Sequence, residues 1–130
     1  MLERIQDGGG FEEKAGYCRA VKAGATISVS GTIASAPEGV ALADLDTYEQ
    51  TAAGLRRSLE AVRELGGAVE TVTRTRVYLA PGAVWQQMVR AHHEIFADAR
   101  PANTTVYVSA LIPPGALVEV ELEAVTEVSR

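Results

Sequence analysis

Residues 100–125 read RPANTTVYVSALIPPGALVEVELEAV and carry the most regular pattern in this chain. Two runs rich in β-branched residues, 104–111 and 117–125, flank the sequence Ile-Pro-Pro-Gly at 112–115. Such runs predict strands, and the Pro/Gly turn between them predicts a hairpin-like pair. In the second run apolar residues alternate with glutamates, so one face can pack on helices while the other carries a row of carboxylates. That row consists of Glu119, Glu121 and Glu123.

The glutamate row has three explanations, because like charges side by side are costly unless water or cations lie beside them. The face can be solvated. It can also pair with Arg74 and Arg76, which share one face of another predicted strand and would fix strand register or interface geometry. In the third explanation, one carboxylate transfers a proton or positions water at a cleft between subunits.

The first half of the chain predicts a hairpin followed by a helix. Residues 17–22 and 26–32 are β-like runs separated by Ala23-Gly24, which favours an antiparallel pair. After a connecting loop at 34–44, Asp46 and Glu49 have the spacing of a capping box. The helix that follows ends at Gly66-Gly67. Its apolar stripe consists of Ala52, Leu55, Leu59, Val62 and Leu65, while Arg56, Arg57, Glu60 and Arg63 lie outside the stripe.

The second half predicts a strand at 72–80 and a helix at 84–96, which cannot continue through Pro101. The helix has Trp85, Met88, His92, Ile95 and Phe96 on or beside one face. Strict alternation along the strand puts Val72, Arg74, Arg76 and Tyr78 on one face and Thr73, Thr75, Val77 and Leu79 on the other.

These elements predict one α+β domain over residues 1–130, a two-layer sandwich in the order β-β-α-β-α-β-β. Residues 1–12, with Gly8-Gly9-Gly10, are expected to be a loose lead-in. Both helices pack on one face of the sheet. The mixed polar and apolar character of the other face predicts that further copies of the chain cover it.

Composition excludes several classes of protein. The net charge is −5, with 12 basic and 17 acidic residues, and there is neither a basic cluster nor an aromatic-rich surface for nucleic acid. No apolar run reaches the roughly 20 residues needed to cross a bilayer. The N-terminal sequence lacks the apolar segment of a signal peptide, and the single cysteine, Cys18, suits a reducing compartment. We therefore expect a cytoplasmic protein with no nucleic-acid or membrane partner.

Few residues carry an obvious chemical signature. Adjacent His92 and His93 point about 100° apart on a helix, so a structural or surface role is favoured over metal binding. Cys18 is more typical of a small buried residue than of a nucleophile, because no base lies near it in sequence. The pair Ser30-Gly31 indicates either a strand end where a side chain would not fit, or a place where a ligand approaches the backbone.

Taken together, the ordered segments resemble the reactive-intermediate deaminase (RidA/YjgF) superfamily, also described as the endoribonuclease L-PSP family. The matching pieces are YCRAV at 17–21, VSG at 29–31, RTRVYL at 74–79, RPANTTV at 100–106 and LVEVELEAV at 117–125. The resemblance implies a chorismate-mutase-like fold assembled as a homotrimer, with ligand clefts between neighbouring subunits. It also implies hydrolysis of 2-imino acids to 2-keto acids and ammonia, without a metal or organic cofactor.

The resemblance assigns roles to particular residues and also shows one departure. Glu119 matches the last-strand glutamate associated with the attacking water, and Asn103 stands where the family has an arginine that grips the substrate carboxylate. An asparagine donates a hydrogen bond but cannot form a charged bidentate clamp. Arg19, Arg76 or Arg100 is a candidate to replace that arginine, and Arg76 is preferred. The segments that line the cleft in the family place Tyr17, Arg19, Ser30 and Gly31 at the ligand.

Two functions follow as expectations. The first is a hydrolase for a small imine, enamine or related carbonyl metabolite, in which Glu119 positions water and Asn103 orients substrate. The second is a non-catalytic trimer that binds a small molecule or has a regulatory role. Ribonuclease activity, which some relatives are described as having, is disfavoured by the acidic charge balance.

Overall fold

Six strands and three α-helices make up the computed structural model, which describes residues 2–7 and 10–126. The strands are β1 (Leu2–Ile5), β2 (Ala20–Ala23), β3 (Thr26–Thr32), β4 (Val72–Leu79), β5 (Ala102–Tyr107) and β6 (Val118–Val125). The helices are α1 (Gly10–Ala15), α2 (Thr47–Glu64) and α3 (Trp85–Phe96). All six strands form one sheet in the order β1-β2-β3-β6-β4-β5.

The closing strands, β5 and β6, do not form the predicted hairpin. β5 pairs in parallel with β4, while β6 lies between β3 and β4 and is antiparallel to both. The connection between them spans residues 108–117, which exceeds the two to five residues typical of a hairpin loop. A strand–turn–strand pattern does not distinguish a hairpin from a longer connection that passes over a third strand. The hairpin prediction was therefore wrong, whereas the predicted pairing of β2 with β3 is confirmed.

The alternation along β6 is confirmed, and its buried face shows that the core lies between the sheet and the helices α2 and α3. Its even-numbered residues are almost fully buried, with exposed fractions of 0–2 %. They pack with the apolar stripe of α2, which includes Leu55, Leu59 and Val62, and with Met88 and Phe96 of α3. The Asp46–Glu49 capping box also forms at the start of α2. Trp85, predicted on or beside the apolar face of its helix, is 51 % exposed.

Strict alternation was wrong at the start of β4. Val72 is buried with Val77 and Leu79 rather than sharing the half-exposed face of Arg74. The β4–β6 register shifts by one residue between Val72 and Arg74, and such a bulge turns the following side chains to the other face.

The N-terminal segment is more ordered than predicted. Leu2–Ile5 forms the edge strand β1, which pairs antiparallel with β2, and Gly10–Ala15 forms α1. The side chains of β1 are mostly exposed, so its sequence shows no apolar alternation. Backbone hydrogen bonds to the edge of β2 are enough to define such a strand. The Gly8-Gly9 part of the expected loose lead-in lies outside the described residues.

Gln50, near the N-terminal end of α2, connects the loop at 42–45 with the turn at 112–116. Its side chain is fully buried, and Nε2 lies 3.1–3.2 Å from the carbonyl oxygens of Leu42, Leu45 and Gly115. Its Oε1 accepts from the backbone N–H of Leu117 at 2.8 Å. Gln50 thereby fixes the end of the 112–116 turn next to β6.

Replacing Gln50 by alanine is expected to lower the free energy of unfolding by about 1–3 kcal/mol, because buried backbone groups lose their partners. Chemical denaturation of the variant measures this loss. Exposed Gln86 on α3 provides the control, and Gln86→Ala should change stability by less than about 0.5 kcal/mol. Equal stability of the two variants would show that Gln50 is not a structural clamp.

Candidate functional site

A cavity of about 600 Å³ opens beside Glu119, whose side chain lies on the half-exposed face of β6, and Arg57 of α2 also lines it. Its polar lining consists of Tyr17, Arg19, Ser30, Gly31, Arg57 and Glu119. Five of these six were predicted as site residues from sequence. Segments that are far apart in the chain therefore meet around the last-strand glutamate.

A bulge in β3 shapes the floor of this cavity. The β3–β6 register shifts by one residue between Val29 and Thr32, so Ser30 and Gly31 form a bulge just before β3 ends at Thr32. A Cβ added to Gly31 would lie 2.5 Å from Oε2 of Glu119. Because glycine has no side chain, Gly31 leaves room for the Glu119 carboxylate.

Polar contacts hold the bulge in place. The Ser30 hydroxyl donates to the Cys18 carbonyl at 2.7 Å, and Nη2 of Arg19 donates to the Gly31 carbonyl at 2.6 Å. Arg19 is 8 % exposed, so its guanidinium is mainly an internal support for this strand. Cys18 is half-buried rather than fully buried as the sequence predicted.

The Glu119 carboxylate sits in an environment that favours its protonated form. Burial raises the pKa of Glu119 above its ordinary value, the positive charge of Arg19 opposes that rise, and the neighbouring charge of Glu121 adds to it. A carboxylate with a raised pKa is a better proton acceptor than an ordinary surface glutamate. The shift is in the direction that general-base catalysis by Glu119 would require.

Arg57 is the cavity residue that the sequence did not single out. It lies on α2, where its Nη2 donates to Oδ2 of Asp7 at 2.6 Å and its Nη1 donates to the Ile33 carbonyl at 3.2 Å. In the sequence it is one of several arginines outside the apolar stripe of α2. Arg57 differs from Arg56 in its tertiary contacts, because the connection at 33–46 and the N-terminal segment pack against α2 at Arg57.

The other two glutamates of the row have different partners. Nη1 of Arg76 lies 2.7 Å from Oε2 of Glu123 and 3.9 Å from Oε2 of Glu121, and the Tyr78 hydroxyl donates to Glu121. Arg74 instead donates to Thr104 at 3.3 Å. Of the three explanations for the glutamate row, pairing with an arginine therefore applies to Glu121 and Glu123. Arg76 does not line the cavity beside Glu119.

Asn103 lies on the opposite face of the sheet from Glu119. In the register of the sheet, Asn103 is the partner of buried Thr75, on the helix side, whereas Glu119 is the partner of Tyr78 on the other side. Asn103 Nδ2 donates to Oγ1 of Thr75 at 3.0 Å, and its Oδ1 accepts from Thr105 at 3.0 Å. One chain therefore does not bring the two expected catalytic residues together.

Asn103 instead lines a second cavity, of about 590 Å³, between α3 and β5. Arg100 and His92 also line it. His92 Nε2 lies 2.8 Å from Oγ1 of Thr75, its ring packs on Phe96, and burial lowers the pKa of His92. These contacts support the structural role expected for His92. Within residues 2–7 and 10–126, no three His, Cys, Asp or Glu side chains cluster so as to hold a metal ion.

Comparison with known proteins identifies the family. The model of the family described as Endoribonuclease L-PSP matches residues 10–126. This chain belongs to that family. An uncharacterized protein of Streptomyces coelicolor is 39 % identical over 123 residues, covering 95 % of this chain and 91 % of the relative. A RutC family protein of Sulfurisphaera tokodaii is 33 % identical over 104 residues, covering 80 % and 82 %.

Solved structures agree with this membership of the endoribonuclease L-PSP family. A Mycobacterium tuberculosis protein, Rv2704, described as a member of the YjgF/YER057c/UK114 family, superposes with a TM-score of 0.86 at 34 % identity. The match covers 97 % of this chain and all of that one. The resemblance to the RidA/YjgF superfamily and the α+β fold class are thereby confirmed. Among the described helices, none has the length and apolar character needed to cross a membrane.

Proposed function

We propose that this chain hydrolyses a small reactive metabolite, an imine, an enamine or a related carbonyl compound, at a cleft shared by the subunits of a homotrimer. The observation that carries the proposal is the partly buried Glu119 carboxylate, which has a raised pKa and lies against Gly31 in a cavity of about 600 Å³. A pocket of this volume suits a small organic molecule. Family membership adds support, because imine hydrolysis is known in the family.

The reaction needs one proton acceptor and one water molecule. Ionised Glu119 accepts a proton from water as the water oxygen bonds to the carbon of the C=N group, and Glu119 then passes that proton to the nitrogen. The hydroxyl of the resulting tetrahedral adduct gives its proton, through Glu119, to the nitrogen as the carbon–nitrogen bond breaks and the C=O bond forms. The products are a carbonyl compound and ammonia, and Glu119 returns to its starting state. In this proposal Tyr17 and Ser30, which line the cavity, orient the substrate.

The homotrimer gives Asn103 access to the substrate of a neighbouring subunit. Because Asn103 and Glu119 lie on opposite faces of the sheet in one chain, they can act on one substrate only if different chains contribute them. The edge strand β5 and the start of α3 support a subunit contact there, since Val106, Tyr107 and Trp85 are 43–52 % exposed. Light scattering should give about 41 kDa for three chains of 13.8 kDa. A monomer would remove the shared cleft.

Imine trapping tests the hydrolysis directly. An amino-acid dehydratase or oxidase generates imines from several amino acids, semicarbazide traps what remains, and the protein should reduce the trapped amount in proportion to its concentration. Failure to accelerate imine loss with every amino-acid precursor would contradict the deaminase form of the proposal.

A non-catalytic binding or regulatory trimer is the second candidate. The observation in its favour is that the side chain of Asn103 is already bonded to Thr75 and Thr105 and supplies no positive charge for a substrate carboxylate. Such a protein would gain thermal stability with a ligand but show no turnover. A metabolite screen in which no small acid, amide or amine raises the melting temperature would contradict it.

A further inference from the structure

We propose that His92 is a positioning residue, which acts through the Thr75 hydroxyl to fix the direction in which the side-chain amide of Asn103 faces. The inference rests on the proposed function, in which Asn103 orients the substrate of a neighbouring subunit. It gives a specific role to a histidine for which the sequence favoured only a structural or surface position.

Three side chains from α3, β4 and β5 meet at one buried hydroxyl. Thr75 is fully buried on β4, and its Oγ1 lies 2.8 Å from Nε2 of His92 and 3.0 Å from Nδ2 of Asn103. Oδ1 of Asn103 in turn accepts from the Thr105 hydroxyl at 3.0 Å. A continuous row of hydrogen bonds therefore links a histidine on a helix to an amide on the edge strand β5.

The chemistry of these groups sets the direction of each hydrogen bond. An amide nitrogen only donates, so Thr75 Oγ1 accepts from Asn103 and keeps its own single hydrogen for His92. Nε2 of His92 is then the acceptor, and the ring carries its proton on Nδ1. Burial lowers the pKa of His92, so the neutral ring is the form present at neutral pH.

The reverse arrangement would need the Asn103 amide flipped end for end. Its oxygen would then accept from Thr75, and His92 would donate from Nε2. The backbone carbonyl oxygen of Thr75 disfavours this, because it lies 3.5 Å from the Asn103 atom concerned and would attract an amide nitrogen but repel an oxygen. With His92 as acceptor, the Thr75 hydrogen is directed away from Asn103, and a flipped amide oxygen would find no donor there.

The fixed amide presents defined groups to a substrate. Thr75 uses one of its two N–H groups and Thr105 uses one of its two oxygen lone pairs, so one donor and one acceptor remain. Asn103 is exposed and lines two cavities on the helix side of the sheet, which leaves these groups open to a bound molecule. The buried Phe96 ring packs on His92 with 4.8 Å between ring centroids and limits rotation of the imidazole.

The position of the ring proton tests the arrangement without any substrate. Nitrogen-15 NMR of the full chain at about pH 8, where the ring is neutral, should show the His92 proton on Nδ1, the less common tautomer of a free imidazole side chain. His93→Gln removes the signals of the other histidine and so assigns those of His92. In Thr75→Val the hydroxyl is absent, and the Nε2–H form should become the main one. A proton on Nε2 of the wild-type ring would overturn the inference.

Variants of His92 test its effect on the reaction. His92→Leu removes the acceptor and should lower kcat/KM for imine hydrolysis about five- to tenfold, the usual effect of losing one neutral hydrogen bond. His92→Gln, whose side-chain oxygen can accept from Thr75, should keep most of the activity. Gln86→Leu, at an exposed position of the same helix, should keep the wild-type rate. Equal losses in His92→Leu and His92→Gln would contradict a role through the hydrogen bond.

A double-mutant cycle separates positioning from a merely structural role. In an Asn103→Ala background, His92→Leu should change kcat/KM by less than about twofold, because the amide that it orients is gone. The full additional loss in that background would overturn the inference. Thermal unfolding checks that each variant folds, and if His92→Leu does not fold, Thr75→Val takes its place in the cycle.

Failure of this inference is distinguishable from failure of the proposed function. Imine hydrolysis with additive effects of the His92 and Asn103 substitutions would overturn the positioning role and leave the hydrolase proposal intact. A wild-type His92 ring protonated on Nδ1, without any imine hydrolysis, would support the hydrogen-bond arrangement and remove the hydrolase.

Discussion

Glu119→Gln is expected to lower kcat/KM for imine hydrolysis at least about 100-fold, the usual lower range for loss of a general base. Glutamine has nearly the same shape, so it can still fill the space beside Gly31, but its amide does not accept a proton from water. Semicarbazide trapping measures the rate. Glu60→Gln on the exposed side of α2 should keep wild-type activity. A Glu119→Gln variant with wild-type kcat/KM would remove the general-base role.

The pH dependence of the wild-type enzyme provides a second measurement of the same role. Because the pKa of Glu119 is raised above its ordinary value near 4.5, the ionised base is lost as pH falls through the raised pKa. We expect kcat/KM to decline on the acidic side with a midpoint above 4.5, and any residual activity of Glu119→Gln to lack this limb. If the wild type and Glu119→Gln showed the same decline at acidic pH, a group other than Glu119 would be responsible for it.

The raised pKa also fixes the direction of a stability change. A carboxyl group whose pKa is higher in the folded state stabilises the fold below its unfolded pKa, and this contribution is lost as pH rises through the folded value. Ionised Glu119 therefore destabilises the fold at neutral pH. Glu119→Gln should have a melting temperature at pH 7 that is equal to or higher than that of the wild type, with the difference vanishing at low pH.

Gly31→Ala is expected to lower kcat/KM about 100-fold, while the free energy of unfolding falls by at most about 1 kcal/mol because only a flexible side chain must move. The added methyl would lie 2.5 Å from Oε2 of Glu119, so the carboxylate must move. Displacement of a catalytic group by about 1 Å is enough for such a loss of rate. Imine trapping and chemical denaturation measure the two effects.

Gly54→Ala is the matched control for this steric argument. A Cβ at Gly54, inside α2, would meet its nearest neighbours at 3.6 Å, an ordinary contact, and alanine favours a helix over glycine by up to about 1 kcal/mol. This variant should be as stable as the wild type or more stable. In a Glu119→Ala background the added methyl of Gly31→Ala finds free space, so any stability cost should disappear. An undiminished cost there would show that the clash does not involve Glu119.

Local rules in the sequence were enough for much of the fold. The capping box at Asp46, the apolar stripe through Leu55 and Leu59, and the alternation along β6 each depend on residues close together in the chain. The bulges in β3 and β4 and the exposed strand β1 were not predictable in this way. A bulge arises from the register between two strands, and β1 is held by backbone hydrogen bonds, neither of which leaves a side-chain pattern.

The same distinction between local sequence patterns and long-range contacts applies to the candidate site. The sequence by itself determined the boundaries of α2 and α3, the buried face of β6 and, through motif resemblance, the expectation that Glu119 and Gly31 lie at the ligand site. Only the tertiary structure decided that β6 lies between β3 and β4, that Arg57 lines the cavity, and that Asn103 lies on the other face of the sheet. These facts depend on contacts between residues far apart in the chain, where the choice of pairing partner and the direction of a side chain are set by the packing of the whole sheet.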